Sequence, residues 1–239
     1  MKKPSVDYRE FRLSKINSPE FSHLKLLLGW IGYFALYLLT ENLILHDNCH
    51  VVHSKLDDII PFCEYFVVPY VLWYAYVALS LLYFLLYNTE SFKKLSTYIL
   101  LTQIIAMTVY ILYPNRQDLR PEEFERSNIF TFIVEILYIL DTSTNVCPSL
   151  HVGYSVAIAS VWLKENGISA VWKTASTVFA VLVCMSTAFI KQHSVVDIWW
   201  ALIMCLVIEI IIYRKYWIKK VRRDCKKSPE RKKAEIKLI

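Results

Sequence analysis

Residues 66–87 read FVVPYVLWYAYVALSLLYFLLY, without one charged side chain. A bilayer core about 30 Å thick is crossed by roughly 20 helical residues, so this stretch has the length and composition of a transmembrane helix. A helix inside a large soluble protein would carry polar positions every three or four residues. Phe66–Tyr87 lacks that rhythm.

Outward from it, Leu24–Leu45, Leu95–Tyr113, Thr174–Ile190 and Val195–Tyr213 approach or meet the same length. A sixth run, Pro148–Leu163, is shorter and holds Ser149 and His151 near its start. The runs stop at turn formers or charges, such as Asn88-Thr89-Glu90, Pro114-Asn115-Arg116 and Lys164-Glu165-Asn166-Gly167. Hydrophobic residues make up 56% of the 239, more than a soluble domain carries. The expected fold is all-α: an integral membrane bundle of six transmembrane helices with an outward-facing site. Residues 1–23 form an N-terminal segment, 24–217 the membrane domain and 218–239 a basic tail, with no internal repeat and no second domain.

Charge sets the expected orientation. Of 27 Lys and Arg, 22 fall in the segment through Lys25, at Lys93-Lys94, at Lys164 and Lys173, and from Arg214 onward. The alternate connections keep only five: Lys55, Arg116, Arg120, Arg126 and Lys191. The positive-inside rule then puts both termini in the cytoplasm, which requires an even number of crossings. A charged start without a cleavage site argues against a signal peptide. The basic tail suits anionic headgroups; no aromatic or fold signature points to nucleic acid. The six cysteines show no CxxC spacing, and Cys49, Cys63 and Cys147 fall in outer loops, where a disulfide is compatible with the topology.

Three polar clusters gather at the expected outer edge. One is Tyr113–Pro121, with Arg116 and Arg120; the second is Cys147-Pro148-Ser149-Leu150-His151; the third runs from Ser186 to Asp197. His193 and Asp197 are four apart and share a face on a helix. A carboxylate on one ring nitrogen fixes the tautomer and leaves the other nitrogen free to attack; the plainer reading is an interfacial histidine satisfied by its neighbour. His151 falls in the first turn of its helix, behind Pro148 in a place where a missing N–H costs nothing. Backbone N–H groups at Ser149, Leu150 and His151 would face an anion there, and His151 can protonate a leaving oxygen. Arg116 and Arg120 offer planar forks for phosphate oxygens. Lys191 is a further phosphate contact or a snorkelling interfacial lysine. A nucleophile, an acid and a cationic cradle describe phosphoryl transfer through a phosphohistidine, chemistry that calls for no metal or other cofactor.

These clusters resemble the type 2 phosphatidic acid phosphatase family, which shares its helical core with vanadium haloperoxidases. The family pattern is a lysine, six residues, then Arg-Pro; Pro-Ser-Gly-His; and Ser-Arg, five residues, His, three residues, Asp. Arg120-Pro121, Pro148-Ser149-Leu150-His151, and Ser186 with His193 and Asp197 stand in those places. The resemblance covers roughly residues 60–215. It implies His193 as nucleophile, Asp197 as its partner, His151 as acid, and Ser149 and Arg120 on the phosphate. The chain departs from the pattern where Tyr113 replaces the lysine, Thr187 the arginine and Leu150 the glycine. Arg116 and Lys191 are the cations nearest those vacancies, and Leu150 looks like the lipid phosphotransferase branch, including inositol phosphorylceramide synthases.

The expected activity is a membrane-embedded lipid phosphate phosphatase that cleaves a phosphate ester or pyrophosphate, with transfer of a headgroup to an alcohol as the alternative. Its partners are then an amphiphilic lipid phosphate and the surrounding membrane lipids. Two other classes compete. His46, Asp47, Cys49, His50 and His53 could hold a metal. The other is a transporter or an inert membrane scaffold: Glu41, Glu135 and Glu209 could serve a transporter, although no paired broken spans accompany them; a cytoplasmic cation near Glu209 would pair with it. Ile129–Leu140 is too short to cross and reads as a re-entrant or interfacial helix over the site. Asp57-Asp58-Ile59-Ile60-Pro61-Phe62 reads as a substrate entrance or as an ordinary acidic loop.

Overall fold

The structure, a computed structural model, describes residues 4–43 and 48–236. It is mostly helical. The helices are α1 (Leu28–Leu43), α2 (Lys55–Ile59), α3 (Val67–Tyr87), α4 (Thr89–Leu112), α5 (Ile129–Leu140), α6 (Leu150–Lys164), α7 (Ala170–Phe189) and α8 (Val195–Ile236). Two short strands, β1 (His50–Val51) and β2 (Asn115–Arg116), pair in parallel.

Among the described residues, five helical stretches are long and apolar enough to cross a membrane: Ser22–Thr40, Glu64–Tyr87, Thr89–Leu112, Ala170–Phe189 and Val195–Ile218. The sixth expected span is α6, which has 15 residues and at a rise of about 1.5 Å each covers only about 22 Å. Its place explains its composition. Ten of its residues are buried, because α3, α4, α7 and α8 all pack around it. Gly153 lets α4 come close: a Cβ there would meet Thr102 Cγ2 at 2.6 Å.

The interior holds Ser80, Ser96, Thr102, Gln103, Ser155 and Ser160, while Leu79, Ile104, Val181, Ile203, Leu206 and Ile211 face outward. That inversion suits a hydrocarbon solvent, where buried hydroxyls bond to helix carbonyls and exposed leucines cost nothing. Thr102 Oγ1 donates to Tyr98 O at 3.0 Å, and Tyr98 Oη to Cys205 O at 2.7 Å.

The connections separate to two ends of the bundle. At one end the Asn88 side chain caps α4, accepting from Ser91 N at 3.1 Å, and its amide donates to Glu165 at 2.7 Å. Tyr8 Oη donates to Leu85 O, and Lys164 meets Glu209 at 2.7 Å, so the pairing foreseen for Glu209 forms with this lysine. Gly167, at φ +77°, turns the chain from α6 into α7 in the left-handed region open to glycine. At the other end lie β1, α2, β2, α5 and the α7–α8 turn, together with the three polar clusters. The short helix α5 packs on α3 through Val134 and Leu137, and leaves Ile129, Phe132, Ile139 and Leu140 exposed.

Candidate active site

The site is built where α7 ends and α8 begins. Ile190, Lys191, Gln192 and His193 donate their amides back to carbonyls of the last turn of α7. Lys191 takes φ +54°, a left-handed conformation usually left to glycine or asparagine at a helix end. Its ammonium holds the bend by donating to Asp57 O at 2.7 Å and Ile60 O at 2.6 Å. Burial pushes the Lys191 pKa down, and the nearby Asp57 and Asp58 oppose that shift. Ser194 then caps α8.

His193 Nδ1 lies 3.0 Å from Val146 O and 3.2 Å from Asp197 Oδ2. Both neighbours are acceptors, so the proton sits on Nδ1 and Nε2 keeps its lone pair. Asp197, 0% exposed, is itself held by Ser194 N at 2.9 Å. The pair forms as expected, although His193 stands in the turn before α8 and not on the helix.

His151 comes to the same point from α6. Its ring lies 5.7 Å from that of His193, between centroids, stacks on Tyr70 at 4.4 Å and touches Trp73 at 4.2 Å. His151 Nε2 is buried and finds no partner among the described residues. The helix starts at Leu150, two positions later than the sequence reading put it. Ser149 is the N-cap, accepting from Val152 N, and its own amide donates to Asp197 O. Ser149 is thus occupied as a structural cap, and Pro148 lies ahead of the helix.

The expected cations are placed differently from the histidines. Arg120 donates to the carbonyls of Tyr138, Asp141 and Thr142 and, at 2.6 Å, to Gln192 Oε1. It also lies over the Tyr138 ring, and burial draws its pKa down from the usual arginine value. Arg120 therefore ties the segment after α5 to the α7–α8 turn. Arg116 reaches Asp118 at 3.3 Å, and Lys191 points to the α2 loop.

The sequence reading named Asp57 only within a substrate entrance or an acidic loop, and its bracing role and that of Asn115 escaped it. Asp57, 3% exposed, accepts from Ser194 Oγ at 2.6 Å, Val195 N at 2.8 Å and Ser54 N at 2.7 Å. The Ser54-x-x-Asp57 capping box is legible in sequence, but its second task of bracing the α7–α8 turn is not. Asn115, wholly buried, accepts from Val146 N and Cys147 N and so fixes the segment leading to Ser149. A lone asparagine in a polar loop gives no signal of this. α5 lies beside the turn, with Tyr138 Oη donating to Ile190 O at 2.6 Å.

Cys63 and Cys147 are free thiols. Any pairing among Cys49, Cys63 and Cys147 needs one of those two, so the compatible disulfide does not form. Of the proposed metal ligands, His46 and Asp47 lie outside the described residues. His50 stacks on Tyr113 and His53 pairs with Asp58 at 2.8 Å, and among the described residues no group of three or more His, Cys, Asp or Glu is placed to hold a metal ion.

The two imidazoles open into a cavity of about 530 Å³. Its apolar walls are Trp30, Phe34 and Tyr37 of α1 and Trp73, Val77 and Leu81 of α3; Asp141, Thr142, Asn145 and Gln192 add polar lining. No protein-family model matches the chain, and neither a curated protein nor a solved structure matches it.

Proposed function

We propose that this chain is a membrane-embedded enzyme that cleaves a phosphate ester of a lipid through a phosphohistidine, as the type 2 phosphatidic acid phosphatases do. One observation carries the reading: two buried imidazoles face one cavity, and His193 is held in the tautomer that keeps Nε2 free. His193 Nε2 attacks phosphorus, and the bond from phosphorus to the leaving alcohol breaks. His151, protonated as the anion enters, gives its proton to that oxygen. An acceptor hydroxyl then attacks the phosphohistidine, the N–P bond breaks, and the proton returns to His151. The acceptor is water in a phosphatase. Leu150, in place of the family glycine, favours the second reading, in which a lipid or sugar hydroxyl takes the phosphoryl group.

The apolar walls on α1 and α3 support an amphiphilic substrate, with its tail in the slot and its ester at the histidines. Lys93, Lys94, Lys164 and Lys173 lie at the bundle end away from the histidines, which supports an outward-facing site with both termini in the cytoplasm. In that topology α6 is a short sixth crossing, sheltered from lipid by its neighbours.

The test is a panel of lipid phosphates given to purified protein in detergent, with and without EDTA and vanadate, for the wild type and His193→Ala. Turnover that survives EDTA, falls with vanadate and vanishes in the variant is expected. Full turnover by His193→Ala would sink the mechanism. Free phosphate released without added alcohol marks hydrolysis, and headgroup exchange marks transfer.

A further inference from the structure

Among the 21 described residues that line the cavity at the two imidazoles, none is lysine or arginine, and Asp141 is the only carboxylate. Eight are Trp, Tyr or Phe, so the wall is largely aromatic. The rings adjoin one another. Trp73 lies 4.2 Å from His151 and 5.5 Å from Tyr154, which lies 5.8 Å from Trp30, centroid to centroid. Tyr74 meets Trp73 and His151 at 73° and 86°. Tyr70 stacks on His151 and donates from Oη to Asp141 Oδ2 at 3.2 Å, which anchors the carboxylate one phenol ring from His151. Aromatic faces are negative, and so is the carboxylate, so this wall attracts a cation. Arg120 donates to the Asp141 carbonyl and offsets part of that charge. Its guanidinium is otherwise spent on two more carbonyls and Gln192, and Arg120 is not among the lining residues.

We infer that the site takes a zwitterionic lipid phosphodiester, whose headgroup carries its own ammonium, with phosphorus at the histidines and nitrogen among Asp141, Trp73 and Tyr74. The substrate then brings the countercharge that Tyr113 and Thr187 cannot supply where the family pattern has lysine and arginine. Aromatic faces beside a carboxylate suit an alkylammonium, which is attracted to both. The reach fits. A nitrogen two carbons beyond the ester oxygen sits roughly 4–5 Å from phosphorus by ordinary bond lengths, and the Trp73 and Tyr74 rings lie 4.2 and 6.5 Å from that of His151. In the first step His193 Nε2 bonds to phosphorus, the bond from phosphorus to the lipid oxygen breaks, and His151 gives that oxygen its proton. The headgroup phosphate stays on His193, its ammonium at Asp141. An acceptor hydroxyl then displaces the histidine and returns a proton to His151.

The inference rests on the phosphoryl reading of the site, and binding separates the two. The probes are the choline, ethanolamine and methyl esters of one long-chain alkylphosphonic acid. All three carry the same tail and the same phosphonate anion, and only the first two carry an ammonium. Each is measured by calorimetry on the full chain in a nonionic detergent. The wild type is expected to bind an ammonium ester roughly tenfold more tightly than the methyl ester. Asp141→Asn removes the charge, and Tyr74→Leu removes a ring from a separate element; each is checked for a single symmetric elution peak. Each should cut the preference to about threefold or less and leave the methyl ester within about twofold of wild type. Equal wild-type affinity for all three esters would overturn the inference while the phosphohistidine mechanism stands. A preference that survives in both variants would also overturn it, because the ammonium would then be held elsewhere. Equal losses for all three esters would do the same, since these residues would then serve the phosphoryl group. Binding of no ester by the wild type would remove the phosphoryl reading itself and the inference with it.

Discussion

The imidazole rings of His151 and His193 lie 5.7 Å apart and 61° to one another, one at the start of α6 and the other in the turn before α8. Residues 42 positions apart in the chain thus meet at one cavity. That juxtaposition is what a nucleophile and an acid acting on one phosphorus require.

Asp197→Asn tests the tautomer. The asparagine fits the space, but its amide can offer an N–H where His193 Nδ1 now donates, and Nε2 is then no longer assured of its lone pair. By analogy with other buried carboxylate–histidine pairs, turnover should fall by roughly 10³- to 10⁴-fold. KM should stay within about threefold, since Asp197 touches no substrate. Single-turnover kinetics on the variant check this; a loss below tenfold would rule the role out.

Asp57→Asn tests the brace beneath the turn. Three donors now converge on two carboxylate oxygens, and an amide would set an N–H against at least one of them. A penalty of about 2 kcal/mol follows from one stranded donor with its lost charge. The thermal midpoint should drop by roughly 4–8 °C. The turnover number should fall while KM holds. An unchanged midpoint and rate would show the brace to be idle.

Cys147 should resist alkylation. Burial first, and then the Asp197 carboxylate beside it, push its thiol up to about 12. At pH 8 the thiolate is then scarcer than in an unfolded chain, with its pKa of about 8.5, by roughly 10³-fold. Site-resolved mass spectrometry after iodoacetamide, native against detergent-unfolded, reads the ratio. The sign for stability follows from the same shift. Above pH 8.5 the unfolded thiol ionises while the folded one stays neutral, so this group's contribution is full below that pH and declines as pH rises toward 12.

Lys164 and Glu209 should prove interdependent. Their side chains are 11% and 15% exposed, and Ser160 and Trp217 also donate to the carboxylate. Removing one charge strands the other, which typically costs about 3–5 kcal/mol. Lys164→Met with Glu209→Leu should recover part of the loss of either single change and not all of it, because the Ser160 and Trp217 donors lose their acceptor. Additive single and double effects in thermal denaturation would rule the coupling out.

Much of the architecture was legible because it is written locally. Uncharged runs such as Phe66–Tyr87, the Asn88 cap and the Gly167 turn act over a few residues, and a bilayer demands helices whatever else surrounds them. The His193–Asp197 pair belongs to the same class, since four positions of chain bring it together. The count of spans was less legible. The Pro148–Leu163 run is short because protein, not lipid, surrounds α6, and no local pattern states that.

What the sequence alone determined is therefore the set of apolar helices, their uneven charge and the local pair at the start of α8. Only tertiary structure decided that His151 meets His193, that Asp57 braces their turn, and that Arg120 spends its fork on carbonyls and one amide. The reason is the cost of an unmade hydrogen bond in a dry interior. Each buried donor takes whichever acceptor folding brings near, and that acceptor can come from any distance along the chain.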